Sequence, residues 1–232
     1  MLMSPQNLPE RINAVLERVT GAAAAAGRSA QSVTVLAIGK AQAPQTLAAA
    51  ARCGLTHFGE SYLQEALEKL AALRAYPLTW HFVGRVQTNK TRAIAEHFTW
   101  VHAVDRLKSA ARLSAQRPFH APPLNVCLQV NLAAEASKGG VAPAEVPALA
   151  AAVAALPRLK LRGLMCIPPE EAEPARQRGW FAQLRVLRDE VNASGGLQLD
   201  TLSMGMSADF EAAIMEGSTI VRLGTVLFGA RP

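Results

Sequence analysis

The sequence predicts an α/β fold, a single (β/α)8 TIM barrel over residues 1–232 with an extra N-terminal helix. Three observations predict it: eight short apolar runs read as strands, amphipathic alanine-rich stretches alternate with them, and 232 residues suit one such unit. A helical pattern from about Asn7 to Ala26 comes first and supplies the helix that closes the barrel. The strand-like runs are Val33 to Gly39, Thr56 to Glu60, Thr79 to Gly84, Trp100 to Asp105, Asn125 to Asn131, Arg162 to Ile167, Thr201 to Met206 and Ile220 to Gly229. Each is short and largely apolar, and the alternation with helical stretches is the signal. The helical patterns between them are Pro44 to Arg52, Tyr62 to Arg74, Asn89 to Phe98, Leu107 to Gln116, Pro143 to Leu156, Ala175 to Asn192 and Ala208 to Glu216. Periodicity leaves an open doubly wound sheet as the alternative, because it does not reveal whether a sheet closes.

Half of the residues are hydrophobic, 18% are charged and 5% are aromatic, which fits a globular chain with a large core. The net charge of +6 invites acidic partners, phosphate esters and nucleic acid among them. Basic residues are nevertheless scattered, and the densest group, Arg158-Leu-Lys160-Leu-Arg162, alternates with leucine as an approach to a strand does. No basic run is interleaved with base-stacking aromatics, so no nucleic-acid partner is expected. Cys53, Cys127 and Cys166 are odd in number and lack CxxC spacing, so neither a disulfide framework nor a zinc site is indicated, and no metal is expected. The start carries no secretion signal, and the uncharged stretch Val146 to Pro157 is short of the ~20 residues a bilayer requires. The expectation is a cytoplasmic protein without a membrane partner.

Barrel chemistry collects where the strands end. Lys40 closes the first apolar run, where lost solvation lowers an ammonium pKa and frees an amine that attacks carbonyls; a solvated strand-end lysine is the plainer alternative. After the seventh strand, Ser203-Met-Gly205-Met206-Ser207 leads into a helix, and the eighth carries Arg222-Leu-Gly224-Thr225. Small residues and hydroxyls there let backbone N–H groups approach an anion. Ser207 also reads as an ordinary N-cap, Gly224-Thr225 as a packing point inside the last strand, and Asp209 would repel a phosphate. His57 and His81 lie on strands, as barrel-mouth groups or as hydrogen-bonded core histidines. Pro168-Pro169-Glu-Glu-Ala-Glu-Pro174 and Ser137-Lys138-Gly139-Gly140 read as loops at the same end. GxGxxG, P-loop, GxSxG and HExxH motifs are absent.

Together Ala37-Ile-Gly-Lys40, Phe58-Gly-Glu-Ser-Tyr62-Leu-Gln-Glu65, Trp80-His-Phe-Val-Gly84 with Gln87-Thr-Asn-Lys90, Val101-His-Ala-Val-Asp105, Ser203-Met-Gly-Met-Ser207 and Val221-Arg-Leu-Gly-Thr225 form a specific set. On these residues the chain resembles the pyridoxal phosphate homeostasis proteins, single-domain relatives of the alanine-racemase barrel. The resemblance implies pyridoxal 5'-phosphate (PLP) as cofactor, bound to Lys40 as a Schiff base, with Arg222 facing the pyridine nitrogen and Ser207, Gly224 and Thr225 around the phosphate. Met206, Ser203, His81 and Ser61 join the expected cofactor site, and Lys138 offers a second amine. The chain departs from the usual pattern at Gly39, where serine is common, and at Ser61, where asparagine is common.

Related racemases use a tyrosine from a second domain as the opposing acid/base, and here the only tyrosines are Tyr62 and Tyr76. The expectation is a protein with no catalytic residues that holds PLP and passes it to apo-enzymes, acting as a monomer rather than an obligate dimer. A PLP-dependent amino-acid racemase and a colourless sugar-phosphate isomerase are the alternatives.

Overall fold

The structure, a computed structural model, describes residues 8–135 and 138–230. Eight parallel strands close into a barrel in sequence order: β1 (Thr34–Ile38), β2 (His57–Glu60), β3 (Thr79–Phe82), β4 (Trp100–Val104), β5 (Leu124–Val130), β6 (Leu159–Cys166), β7 (Thr201–Ser203) and β8 (Ile220–Leu223). β8 pairs with β1 from Thr34↔Ile220 to Ala37↔Leu223, so the sheet is closed and the open alternative is excluded. The helices that follow the strands are α2 (Pro44–Arg52), α3 (Leu63–Ala72), α4 (Thr91–His97), α5 (Leu107–Gln116), α6 (Val146–Ala154), α7 (Pro174–Gly195), α8 (Phe210–Met215) and α9 (Thr225–Phe228), and α1 (Leu8–Ala25) precedes β1. Asn7 and Ser137 lie outside the described residues.

The expected extra helix covers the seam. Ile12, Val15 and Val19 of α1 are buried, and α1 packs on α8 and α9. Arg18 makes a two-pronged ion pair with Glu211 at 2.8 and 2.9 Å, with its guanidinium over the Phe210 ring. The alternation of strand side chains then sorts the apolar residues into two clusters. The larger lies between sheet and helices, where Ala37, Phe58, Phe82, Val101, Val126 and Leu202 meet Leu47, Ile94, Leu113 and Phe181. The smaller comprises Ala103, Cys127 and Met165, with Trp100 and Ile167, on the inner face.

Several boundaries differ from expectation for local reasons. The eighth run was expected to continue to Gly229, yet β8 ends at Leu223 and Gly224 caps the short helix α9. Val226, Leu227 and Phe228 read as strand because apolar runs of this length carry no period that separates strand from helix. Gly224-Thr225 is therefore a strand-to-helix turn rather than a packing point within a strand. β7 stops at Ser203, and residues 204–206 form an irregular link to the turn at 207–209. β6 starts at Leu159, so the alternating Arg158–Arg162 segment is largely strand.

At Gly163, β6 crosses β7 so closely that a Cβ would overlap the backbone of Thr201, whereas a Cβ at Gly179 in α7 would meet nothing within 4 Å. Gly163→Ala should therefore lose on the order of 3 kcal/mol in denaturant unfolding, while Gly179→Ala should gain about 0.5–1 kcal/mol.

Candidate functional site

A cavity of about 420 Å³ opens at the C-terminal mouth of the barrel. Lys40 and Ile38 of the β1 end, Ser61 of the β2 end, Met206 and Ser207 after β7, and Arg222, Gly224 and Thr225 of β8 and α9 all line it. The cavity thus unites most of the residues expected at a cofactor site. Ser203 and His81 are fully buried beneath it, and Lys138 is not among its lining residues.

Lys40 stands just beyond β1, in a turn whose two flanking peptides are tied to α3. Lys69 Nζ donates to the Gly39 carbonyl at 2.6 Å, and Glu65 Oε1 accepts from the Ala41 N–H at 2.7 Å. Ala41 has a φ of 61°, a left-handed conformation that costs an L-residue roughly 1–2 kcal/mol, and the Glu65 bond helps to hold it. Lys69 Nζ also donates to Glu60 Oε1 at 2.8 Å and to Glu65 Oε1 at 2.5 Å, so three acceptors match its three N–H groups. Glu60 is fully buried and its Oε2 has no hydrogen-bond partner. Burial pushes its carboxyl up to about 7, against the opposing pull of the Lys69 and Lys40 charges.

Arg222 forms the floor. Its Nη1 donates to the Ser203 carbonyl at 2.6 Å and to Ser203 Oγ at 3.0 Å, and its Nη2 donates to the Cys166 carbonyl at 2.8 Å. Ser203 Oγ lies 2.7 Å from His102 Nδ1, His102 Nε2 lies 2.9 Å from His81 Nδ1, and His81 Nε2 lies 2.9 Å from His57 Nδ1. Burial lowers all three histidines: His102 falls to about 3, with Arg222 pushing the same way, His81 falls well below the usual range and His57 falls less far. Trp100 stacks on His81 at 5.5 Å and 8°, which fixes the middle ring.

Another side of the cavity is built from two loops joined to each other. Ser207 Oγ accepts from the Val226 N–H at 3.3 Å, so Ser207 ties its loop to α9. It does not cap α8, which begins at Phe210 with Asp209 at the N-cap position. Asp209 is turned away from the role of a repelling charge, since its Oδ1 accepts from the Met206 N–H at 2.6 Å and it does not line the cavity. What remains facing the cavity there is a hydroxyl pair and the first turn of α9, where helix N–H groups lack intrahelical acceptors.

Lys138 Nζ donates to the Pro168 carbonyl at 3.0 Å and pairs with Glu135 at 2.9 Å, bracing the Pro168–Pro169 loop, whose Glu170 lines the cavity. Tyr62 is 61% exposed, and the Tyr76 hydroxyl accepts from Arg52; neither lines the cavity. The sequence did not reveal Lys69 or His102. Glu65 and Lys69 stand at the spacing of an ordinary surface pair, and it is the tertiary placement of α3 against β2 and the turn after β1 that buries Lys69.

Residues 15–232 match the family profile of the alanine racemase N-terminal domain. The pyridoxal phosphate homeostasis protein of Pseudomonas aeruginosa is 58% identical over 224 residues, covering 97% of this chain and 96% of that protein. That of Escherichia coli is 47% identical, covering 94% of each. The chain belongs to the pyridoxal phosphate homeostasis protein family. Among solved structures, PipY of Synechococcus elongatus with PLP bound superposes on this homeostasis-protein barrel with a TM-score of 0.84 at 35% identity, covering 96% of this chain and all of PipY. An alanine racemase of Clostridium difficile shares the fold at a TM-score of 0.74 and 14% identity, matching 57% of the racemase chain.

For this homeostasis-family chain, a larger residue at Gly39 would require its neighbours to shift. A Cβ at Gly39 would lie 2.5 Å from Glu60 Oε1 and 2.9 Å from Leu47 Cδ2. The Glu60 carboxylate and the Leu47 side chain thus occupy the space a serine side chain would enter.

A Glu60 carboxyl at about 7 when folded and near 4.5 when unfolded binds more proton in the native state between those values. Its contribution to stability is complete below 4.5 and is lost as pH rises through 7, by up to ~3 kcal/mol. Unfolding titrations should show this decline in the wild type and its absence in Glu60→Gln; an equal slope in both would remove the assignment.

Proposed function

We propose that this chain binds PLP in the barrel-mouth cavity and serves intracellular PLP homeostasis, holding the cofactor on Lys40 and supplying it to apo-enzymes with no efficient catalysis of its own. The observation that carries this reading is the convergence on one cavity of the Lys40 amine, the Arg222 guanidinium and the Ser207, Gly224 and Thr225 turn. It is supported by the names of the relatives and by the PLP bound in PipY.

The residues fit the cofactor's groups. The PLP aldehyde supplies the carbonyl with which a lysine amine forms a Schiff base. Arg222, already held by two carbonyls and the Ser203 hydroxyl, offers its remaining N–H groups to a ring acceptor. A guanidinium keeps its proton, so the ring nitrogen stays unprotonated and the ring withdraws electrons weakly. That electronic setting favours storage over turnover. Ser207, Gly224 and Thr225 would hold the phosphate, and Met206 and Ser61 also line the cavity.

Racemisation requires a proton donor on each face of the cofactor within hydrogen-bond reach of the substrate carbon. Both tyrosines are away from the cavity, which supports the carrier reading. No helix among the described residues is long and apolar enough to cross a membrane, in keeping with a cytoplasmic carrier.

The purified protein incubated with PLP should absorb in the visible, and borohydride reduction should fix the cofactor on the peptide bearing Lys40. Lys40→Ala should abolish both signals, and retention of either would refute Lys40 as the attachment point. Incubation with L-amino acids in deuterium oxide should give no α-proton exchange at a rate typical of racemases.

A further inference from the structure

The direction of the Ser203–His102–His81–His57 chain follows from where the Ser203 proton finds an acceptor. A guanidinium only donates, so Ser203 Oγ is the acceptor in its 3.0 Å contact with Arg222 Nη1. Apart from Arg222, the hydrogen-bond neighbour of Ser203 Oγ among the described residues is His102 Nδ1 at 2.7 Å, so a buried Ser203 proton is satisfied by donating to that nitrogen. His102, accepting at Nδ1, carries its proton on Nε2 and donates it to His81 Nδ1 at 2.9 Å. The same step repeats between His81 Nε2 and His57 Nδ1 at 2.9 Å. His57 opens β2 and is half-buried, so the chain runs from the N-terminal side of the barrel interior up to the cavity floor.

We infer that His57, His81 and His102 are held as neutral Nε2–H tautomers in a one-way hydrogen-bond chain, and that Ser203 and His102 are thereby positioning residues for Arg222. The chain ends on a donor, so it transmits orientation rather than a proton to the pocket. Ser203 keeps its lone pairs for Arg222 because His102 takes its hydroxyl proton. Without that acceptor the hydroxyl would rotate, and Arg222 Nη1 would lose one of its two anchors. Desolvation of all three rings, with the Arg222 charge beside His102, favours the neutral forms that the chain requires. His81 and His102 are fully buried, so no solvent substitutes for a missing link.

The positioning role rests on the reading that Arg222 faces the ring nitrogen of PLP. Its test compares the affinity of the cofactor-free, full-length protein for PLP with that for the analogue in which a C–H group replaces the ring nitrogen. Wild type should prefer PLP by about tenfold, the weight of one hydrogen bond from a charged donor. Ser203→Ala and His102→Leu should bring that ratio close to one by weakening PLP alone, and His102→Asn, which keeps an acceptor for the Ser203 proton, should restore it. Equal affinities in wild type would overturn the Arg222 reading itself. A wild-type preference that persists in Ser203→Ala and His102→Leu would overturn the positioning role and leave that reading standing. Independently of any variant's folding, nitrogen-15 spectra of the cofactor-free wild type should show protonated Nε2 and bare Nδ1 at residues 57, 81 and 102. A protonated Nδ1 at His81 or His102 would overturn the one-way chain.

Discussion

The pocket depends on the hydrogen bonds that close the sheet between β8 and β1. Parallel strands bring all their C-terminal ends to one rim, so pairing Ala37 with Leu223 sets the Lys40 turn beside the Gly224 turn, although they come from opposite ends of the chain. The seam is sealed from outside by α1, whose apolar face and Arg18–Glu211 pair lock it to α8. Any slip by one residue would turn Arg222 outward among the helices and Leu223 inward.

Closure also creates a burial problem that this barrel solves with polarity. Barrel interiors are commonly filled by layers of branched aliphatic side chains. Here part of the interior is given to two fully buried histidines, a serine and a desolvated arginine, each bonded to the next. On the opposite face of the sheet the order is inverted: one lysine donates to two glutamates and a backbone carbonyl. A charge inside the barrel and a compensated cluster behind it flank the same short length of β1 and β2.

Much of this was legible. Eight apolar runs separated by helical patterns gave the barrel, and Lys40, Arg222, Ser207 and the Gly224-Thr225 turn were visible as strand-end polar residues. What escaped was whatever depends on register. His57, His81 and His102 sit on separate strands, and nothing in their spacing along the chain reveals that β2, β3 and β4 bring their rings into contact. Ser207 looked like a helix cap because it precedes one, yet the N–H that claims its hydroxyl belongs to Val226. The end of β8 was misjudged because Val-Leu-Phe satisfies strand and helix alike when both are buried.

The tethers on either side of Lys40 decide which parts of the molecule move when something is attached there. With the Gly39 carbonyl and the Ala41 N–H both fixed to α3, the backbone on either side of Lys40 is held in place. On the proposed function, attachment and departure would act on the Lys40 side chain while its backbone stays tied to α3. In such a device, what distinguishes a loaded barrel from an empty one to another protein is the shape and charge exposed at the opening.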